Sequence, residues 1–138
     1  NTFGPHQAED GYGGVIANFG NLAMACKPMT IFGDGSQLRD YLYVYDAVDA
    51  YLLAISRKFD GPVNFGSGET VSVMDIARKI ENLVSVKAPE RKAAWEFGPE
   101  RKGEVYHLQC DNTKALSMGW HPRVRFDEGL TRYVEWAT

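Results

Sequence analysis

Three stretches of this chain repeat apolar residues with the period of an α-helix, and short runs of strand formers closed by glycine turns lie between them. In residues 11–27 the stripe is Val15, Ile16, Phe19, Leu22, Ala23 and Cys26, with Pro28 as a stop. Residues 46–58 carry Val48, Tyr51, Leu52 and Ile55 on one face, with Asp46 as an N-cap and Gly61-Pro62 as terminator. Residues 72–84 place Val73, Ile76, Ala77, Ile80, Leu83 and Val84 together, and Ser72 and Asp75 have the spacing of a capping box. Two further helices are expected, over 111–118, capped by Asp111 and ended by Gly119, and over 127–136. Strands are expected at 29–32, 41–45 and 63–65, and the charged, proline-bearing stretch 85–103 reads as mostly loop. Helix and strand alternate, so the fold class is α/β.

Composition narrows the functions open to such a fold. The 138 residues fit one domain, and a net charge of −3 gives no footprint for nucleic acid or for an acidic membrane surface. No apolar run approaches the roughly 20 residues of a membrane span, and no signal-peptide pattern opens the chain. Cys26 and Cys110 stand far apart without metal-like spacing, which suits free thiols and a cytoplasmic setting. The three histidines are scattered, so no metal site is expected. The chain opens on Asn1-Thr2-Phe3-Gly4-Pro5 without an initiator Met, which reads as the middle of a longer sequence.

Two clusters carry chemistry. In the stretch from Ile31 to Tyr41 a strand delivers Phe32, a glycine-bearing turn follows, and Arg39 comes seven residues after the aromatic. Such a turn can set a π-face and a guanidinium on one side of a cleft, as a base and a phosphate require. The same spacing suits a hairpin whose Phe32 is core and whose Arg39 pairs with a carboxylate. Arg101-Lys102-Gly103-Glu104 offers a phosphate donor beside a hydroxyl acceptor, or else four solvated loop residues. The glycines of Gly11-Tyr12-Gly13-Gly14 and Gly66-Ser67-Gly68 match no phosphate-loop or dinucleotide fingerprint. No Tyr stands four residues before a Lys.

Taken in order, these pieces resemble the C-terminal part of the extended short-chain dehydrogenases/reductases, the NAD-dependent epimerases and dehydratases of nucleotide sugars. The matching landmarks are Asn1-Thr2-Phe3-Gly4-Pro5-His6-Gln7, the block from Met29 to Val44, Asn64-Phe65-Gly66-Ser67-Gly68-Glu69, Arg101-Lys102-Gly103-Glu104-Val105 and Met118-Gly119-Trp120-His121-Pro122. The resemblance implies a small mixed sheet with several helices, the substrate-binding part of a Rossmann-type enzyme without its Rossmann half. It implies that Asn1 contacts the sugar nucleotide near its diphosphate and that Ile31 and Phe32 meet the base. Arg39 and Arg101 would clamp the diphosphate, and Glu104 would lie near the ribose. His6, Lys102 and Tyr45 depart from the family's usual Arg, Pro and acidic residue, which weakens inference about the sugar.

The family's Gly-rich loop, its ribose-binding acidic residue and its Tyr-x-x-x-Lys pair are not in this sequence. The resemblance therefore implies a UDP- or dTDP-sugar as partner, NAD as the cofactor of intact members, and no cofactor and no catalytic residue in this chain alone. Hydride removal needs a nicotinamide and a base, and the chain supplies neither. Three readings follow: a part that joins a separate NAD-binding half, a free-standing nucleotide-binding module, or a structural remnant forming a homo-oligomer.

Overall fold

The structure, a computed structural model, describes residues 1–7, 14–57 and 60–138. Its first helix, α1 (Val15–Met24), buries Ile16, Ala17, Phe19 and Ala23. The start of the expected helix, 11–13, lies outside the described residues. Its end comes early because Cys26 adopts a left-handed φ of 55°. There Lys27 N–H donates to the Leu22 carbonyl at 2.8 Å and Cys26 N–H to the Ala23 carbonyl at 3.1 Å, closing the last turn.

Strand β2 (Pro28–Phe32) follows β1 (Thr2–Phe3) and α1 and runs parallel to β6 (Ala94–Gly98) over five residue pairs, from Pro28 opposite Ala94 to Phe32 opposite Gly98. This corrects the loop reading of 85–103. The alternation there is weak because β6 is held by its ladder with β2 and leaves Phe97 exposed. Two more sheets complete the set. β1 pairs parallel with β4 (Leu42–Tyr43), and β3 (Leu38–Asp40) lies between β5 (Thr70–Ser72), antiparallel, and β7 (His107–Leu108), parallel. The mixed sheet is thus divided into three small ones. β2 and β3 do not pair with each other, so the turn between them is not a hairpin.

The expected strand 41–45 shrinks to β4 because Val44 already begins α2 (Val44–Ser56). Asp46 is therefore no N-cap. It is buried in the first turn, where it accepts the backbone N–H groups of Arg123 and Val124 at 3.0 Å each. Residues 63–65 form no strand; Phe65 instead sets its ring edge-on to Trp120 in a small cluster with Leu42, Ala50 and Ala115. Half of the expected capping box is seen at α3 (Val73–Lys87): Asp75 N–H donates to Ser72 Oγ at 3.0 Å, while the Asp75 carboxylate accepts the Ser72 hydroxyl, through Oδ2 at 2.7 Å. Helix α4 spans Thr113–Ser117, and α5 spans Phe126–Ala137.

The main core is where α1, α3 and α5 meet over β2. Ile16, Met29, Ile31, Ile76, Ile80 and Leu130 are all fully covered there. Each such side chain contributes about 1.5–3 kcal/mol by leaving water. Gly20 permits the approach of α5, since a Cβ at that position would stand 2.5 Å from the Tyr133 hydroxyl. The two stripes read from the sequence end differently. That of α1 is buried against this core, while on α2 Tyr51 is 72% and Ile55 83% exposed. The stripes do not cover one another.

Candidate functional site

A cavity of about 740 Å³ opens between the N-terminal end of α1, β2, β3 and the loop after β6. Asn1, Phe32, Arg39, Arg101 and Glu104 all line it. Ile31 does not: alternation along β2 turns its side chain into the core beside Met29.

Each wall residue is set by its own local structure. Phe32 ends β2, and its carbonyl accepts from Gln37 Nε2 at 2.8 Å. Arg39 sits at the centre of β3, paired with Val71 on one side and Leu108 on the other. Its Nη1 donates to the Leu38 carbonyl at 2.9 Å, and its Nη2 reaches Glu104 Oε1 at 2.5 Å. The two residues are 65 positions apart in sequence, and their side chains are only 17% and 18% exposed. Glu104 and Arg101 are brought to the same side by a turn through Gly103, whose φ of +80° suits glycine, and Glu104 N–H donates to the Arg101 carbonyl at 3.2 Å. Arg101 then lays its guanidinium 3.9 Å from the centre of the Phe32 ring. Asn1 donates through Nδ2 to the Asp40 carbonyl at 3.0 Å.

Both readings of the first cluster therefore hold in part. Phe32 lines the cavity instead of the core, and Arg39 does pair with a carboxylate, the very one expected to serve the site. Together the walls present a flat ring, two planar cations, a carboxylate and amides. Such a set can bind an anion, an aromatic ring and hydroxyl groups at once.

Two functional supports escaped the sequence reading. Gln37 is buried, and its Oε1 has no partner among the described residues. Asp40 is buried beside Arg39 and accepts from Ser67 N at 2.9 Å, Ser67 Oγ at 2.7 Å, Gly68 N at 2.9 Å and Cys110 N at 3.2 Å. Both lie in the block around Arg39, which was the only signal. Asp40 also explains Gly66-Ser67-Gly68: the N–H groups of Ser67 and Gly68 are taken up by a carboxylate, so the loop cradles no phosphate. Tyr41, on the cavity wall, has its phenol pushed up to about 12 by burial, with the Arg39 charge pulling the other way. Burial and the neighbouring Asp40 push the Cys110 thiol up as well, and both cysteines are free. Of the departures, His6 sets its ring against Trp136, 5.0 Å between centres, and Lys102 is exposed.

Among the described residues no group of three or more His, Cys, Asp or Glu is placed to hold a metal, and no helix is long and apolar enough to cross a membrane.

The structure is thus an α/β frame with a cavity walled in part by an aromatic and two arginines. Comparison with known proteins gives the family: residues 1–133 match the GDP-mannose 4,6 dehydratase family. The UDP-glucose 4-epimerase of Mycolicibacterium smegmatis is 37% identical over 137 residues, 98% of this chain and 42% of that protein. The UDP-glucose 4-epimerase of Thermotoga maritima, solved with UDP-glucose, superposes with a TM-score of 0.86 at 34% identity, over 99% of this chain and 43% of the other. That of Thermus thermophilus, solved with NAD, gives 0.85 at 27% identity over the same shares. The chain belongs to the GDP-mannose 4,6 dehydratase family and corresponds to the C-terminal part of the extended short-chain dehydrogenase/reductase epimerases and dehydratases. It spans about two fifths of the length of these relatives.

Proposed function

We propose that this chain is the nucleotide-sugar-binding part, residues 1–138, of an NAD-dependent epimerase or dehydratase, and that its cavity holds the nucleotide diphosphate of a UDP- or dTDP-sugar. One observation carries the reading: Phe32, Arg39, Arg101 and Glu104, drawn from separate segments, line one cavity. Phe32 offers its face to the base. The two guanidiniums meet the diphosphate as planar forks, which match its oxygens better than lysine point charges do. Glu104 accepts from ribose hydroxyls, and Asn1 stands where the sugar phosphates begin.

A nicotinamide cofactor would supply hydride transfer in an intact enzyme. The described residues form no dinucleotide loop to hold one. The Ser67 and Gly68 N–H groups are engaged by Asp40, and the sequence has no Tyr-x-x-x-Lys pair. No catalytic step is assigned to it, and the 138-residue chain alone is expected to turn over no sugar nucleotide.

Isothermal titration with uridine diphosphate tests the reading. Arg39→Ala should lose about 1.5–3 kcal/mol, the range for hydrogen bonds to charged groups, or roughly ten- to hundredfold in affinity. A folded wild-type chain that ignores the nucleotide at millimolar concentration would overturn the proposal. So would turnover that follows the protein through rigorous purification, for the claim of inactivity.

A further inference from the structure

The carboxylate in the cavity is placed to do more than receive a ribose. Glu104 Oε1 lies 2.5 Å from Arg39 Nη2, and both side chains are more than four-fifths covered. The other terminal nitrogen of Arg39 donates to the Leu38 carbonyl. One half of the supposed diphosphate clamp is thus already neutralised from within. Arg101, the other half, lies on the Phe32 ring with no ion-pair partner given by the described residues. An anion entering this cavity meets one guanidinium whose charge is balanced and a carboxylate that repels it.

We infer that Glu104 is the specificity-determining residue of this site, acting as an internal counter-ion to Arg39 that admits nucleoside diphosphates and turns away bare diphosphate. The inference rests on the nucleotide-binding reading above. Bare pyrophosphate draws on Arg39 and leaves Glu104 beside added negative charge, with no donor in exchange. A nucleoside diphosphate brings ribose hydroxyls, which donate to the carboxylate as Arg39 turns to the phosphate. The carboxylate loses one charged partner and gains neutral ones, so its cost of desolvation is not left uncompensated. The base meanwhile takes the ring face that Arg101 occupies, and the freed guanidinium becomes available to the same diphosphate. Discrimination arises because only the complete ligand satisfies every group that it displaces.

The test compares three probes on wild type, Glu104→Gln and Glu104→Asp: uridine diphosphate, 2′,3′-dideoxyuridine diphosphate and inorganic pyrophosphate. Glu104→Gln keeps the size of the side chain and can still contact ribose, but it removes the counter-charge. It should bind pyrophosphate and the dideoxy nucleotide about three- to tenfold more tightly than wild type, the scale of a partly exposed ion pair. Its affinity for uridine diphosphate should stay level or fall, so the preference for the hydroxylated nucleotide shrinks. Glu104→Asp, which keeps the charge, should restore much of that preference. A merely structural role would weaken all three probes together, and that result overturns the inference. An unchanged or weaker affinity of Glu104→Gln for pyrophosphate also overturns it. If the wild type binds no uridine diphosphate, yet Glu104→Gln gains pyrophosphate, the counter-ion stands and the nucleotide reading falls. Failure of every probe on every folded protein sinks both.

Discussion

The guanidinium of Arg101 lies 3.9 Å from the centre of the Phe32 ring, covering a face of the aromatic that lines the cavity. A base that stacks there must displace it, so the two residues should act as a unit toward nucleotide. Phe32→Ala should cost about 1–3 kcal/mol of uridine diphosphate binding, the range for base stacking on an aromatic. Arg101→Ala should cost about 1.5–3 kcal/mol through the phosphate. The double variant should lose less than the sum, because in Phe32→Ala the arginine no longer leaves a ring to bind. Titration of all four proteins gives the coupling directly. Strict additivity would separate the stack from the binding event.

Asp40 gathers four donors from two distant loops, Ser67 and Gly68 on one side and Cys110 on the other. Removing its carboxylate leaves half-buried N–H groups without that partner. Each such group costs about 1–3 kcal/mol, so Asp40→Ala should destabilise the fold by about 3 kcal/mol or more. Asp40→Asn keeps an acceptor but not the charge and should lose roughly half as much. Denaturant unfolding measures both, and a loss below about 1 kcal/mol for the alanine variant would show that water replaces the carboxylate.

Such carboxylates mark the limit of what could be read before the structure. The helices were legible because Ile16, Phe19, Ile76, Ile80, Leu130 and Tyr133 recur with a period that only a helix turns into one face. Short strands were not. Leu38–Asp40 has three residues, and its middle one is Arg39, so no alternation announces it. It is a strand because β5 and β7 flank it, which is a tertiary fact. The same holds for Ala94–Gly98, whose one partner strand among the described residues lies more than sixty positions earlier. Five residues of the cavity wall were legible through resemblance, since Asn1, Phe32, Arg39, Arg101 and Glu104 fall on recognisable positions. Their internal pairing was not legible: spacing says nothing of which carboxylate finds Arg39. Ile31 shows the opposite limit, because a residue beside Phe32 in sequence faces the other side of the strand.

Tyr41 offers a test of burial by pH. Its phenol is pushed up to about 12, chiefly by desolvation, against an ordinary value of 10.0. Between those values the folded chain holds a proton that the unfolded chain has released. The stabilising contribution is therefore complete below pH 10 and is lost as pH rises through about 12. Tyr41→Phe removes this dependence while keeping the ring contacts with Phe3 and Phe126. Denaturant midpoints from pH 9 to 12 should fall more steeply for wild type than for the variant. Parallel curves would place the alkaline sensitivity on other groups.

The exposed face of α2 carries the last prediction. Tyr45, Val48, Tyr51, Leu52 and Ile55 stand together there, and Ile55 is 83% exposed. The helix holds to the body through other residues: Asp46 by hydrogen bonds, and Ala47, Ala50 and Leu53 by packing on the small cluster with Trp120. Nothing in that attachment needs the outer face to be apolar. A polar face would serve a solvated helix as well, and contiguous apolar patches on a free surface favour association. The purified chain should therefore self-associate, with its weight-average mass rising as concentration passes through about tens of micromolar, a range typical of modest interfaces. Leu52→Glu with Ile55→Lys should return it to monomer without lowering the unfolding midpoint, because both side chains are mostly exposed in the isolated fold. A chain that sediments as monomer throughout that range removes the homo-oligomer reading, and a double variant that unfolds more easily shows that the face supports the fold instead.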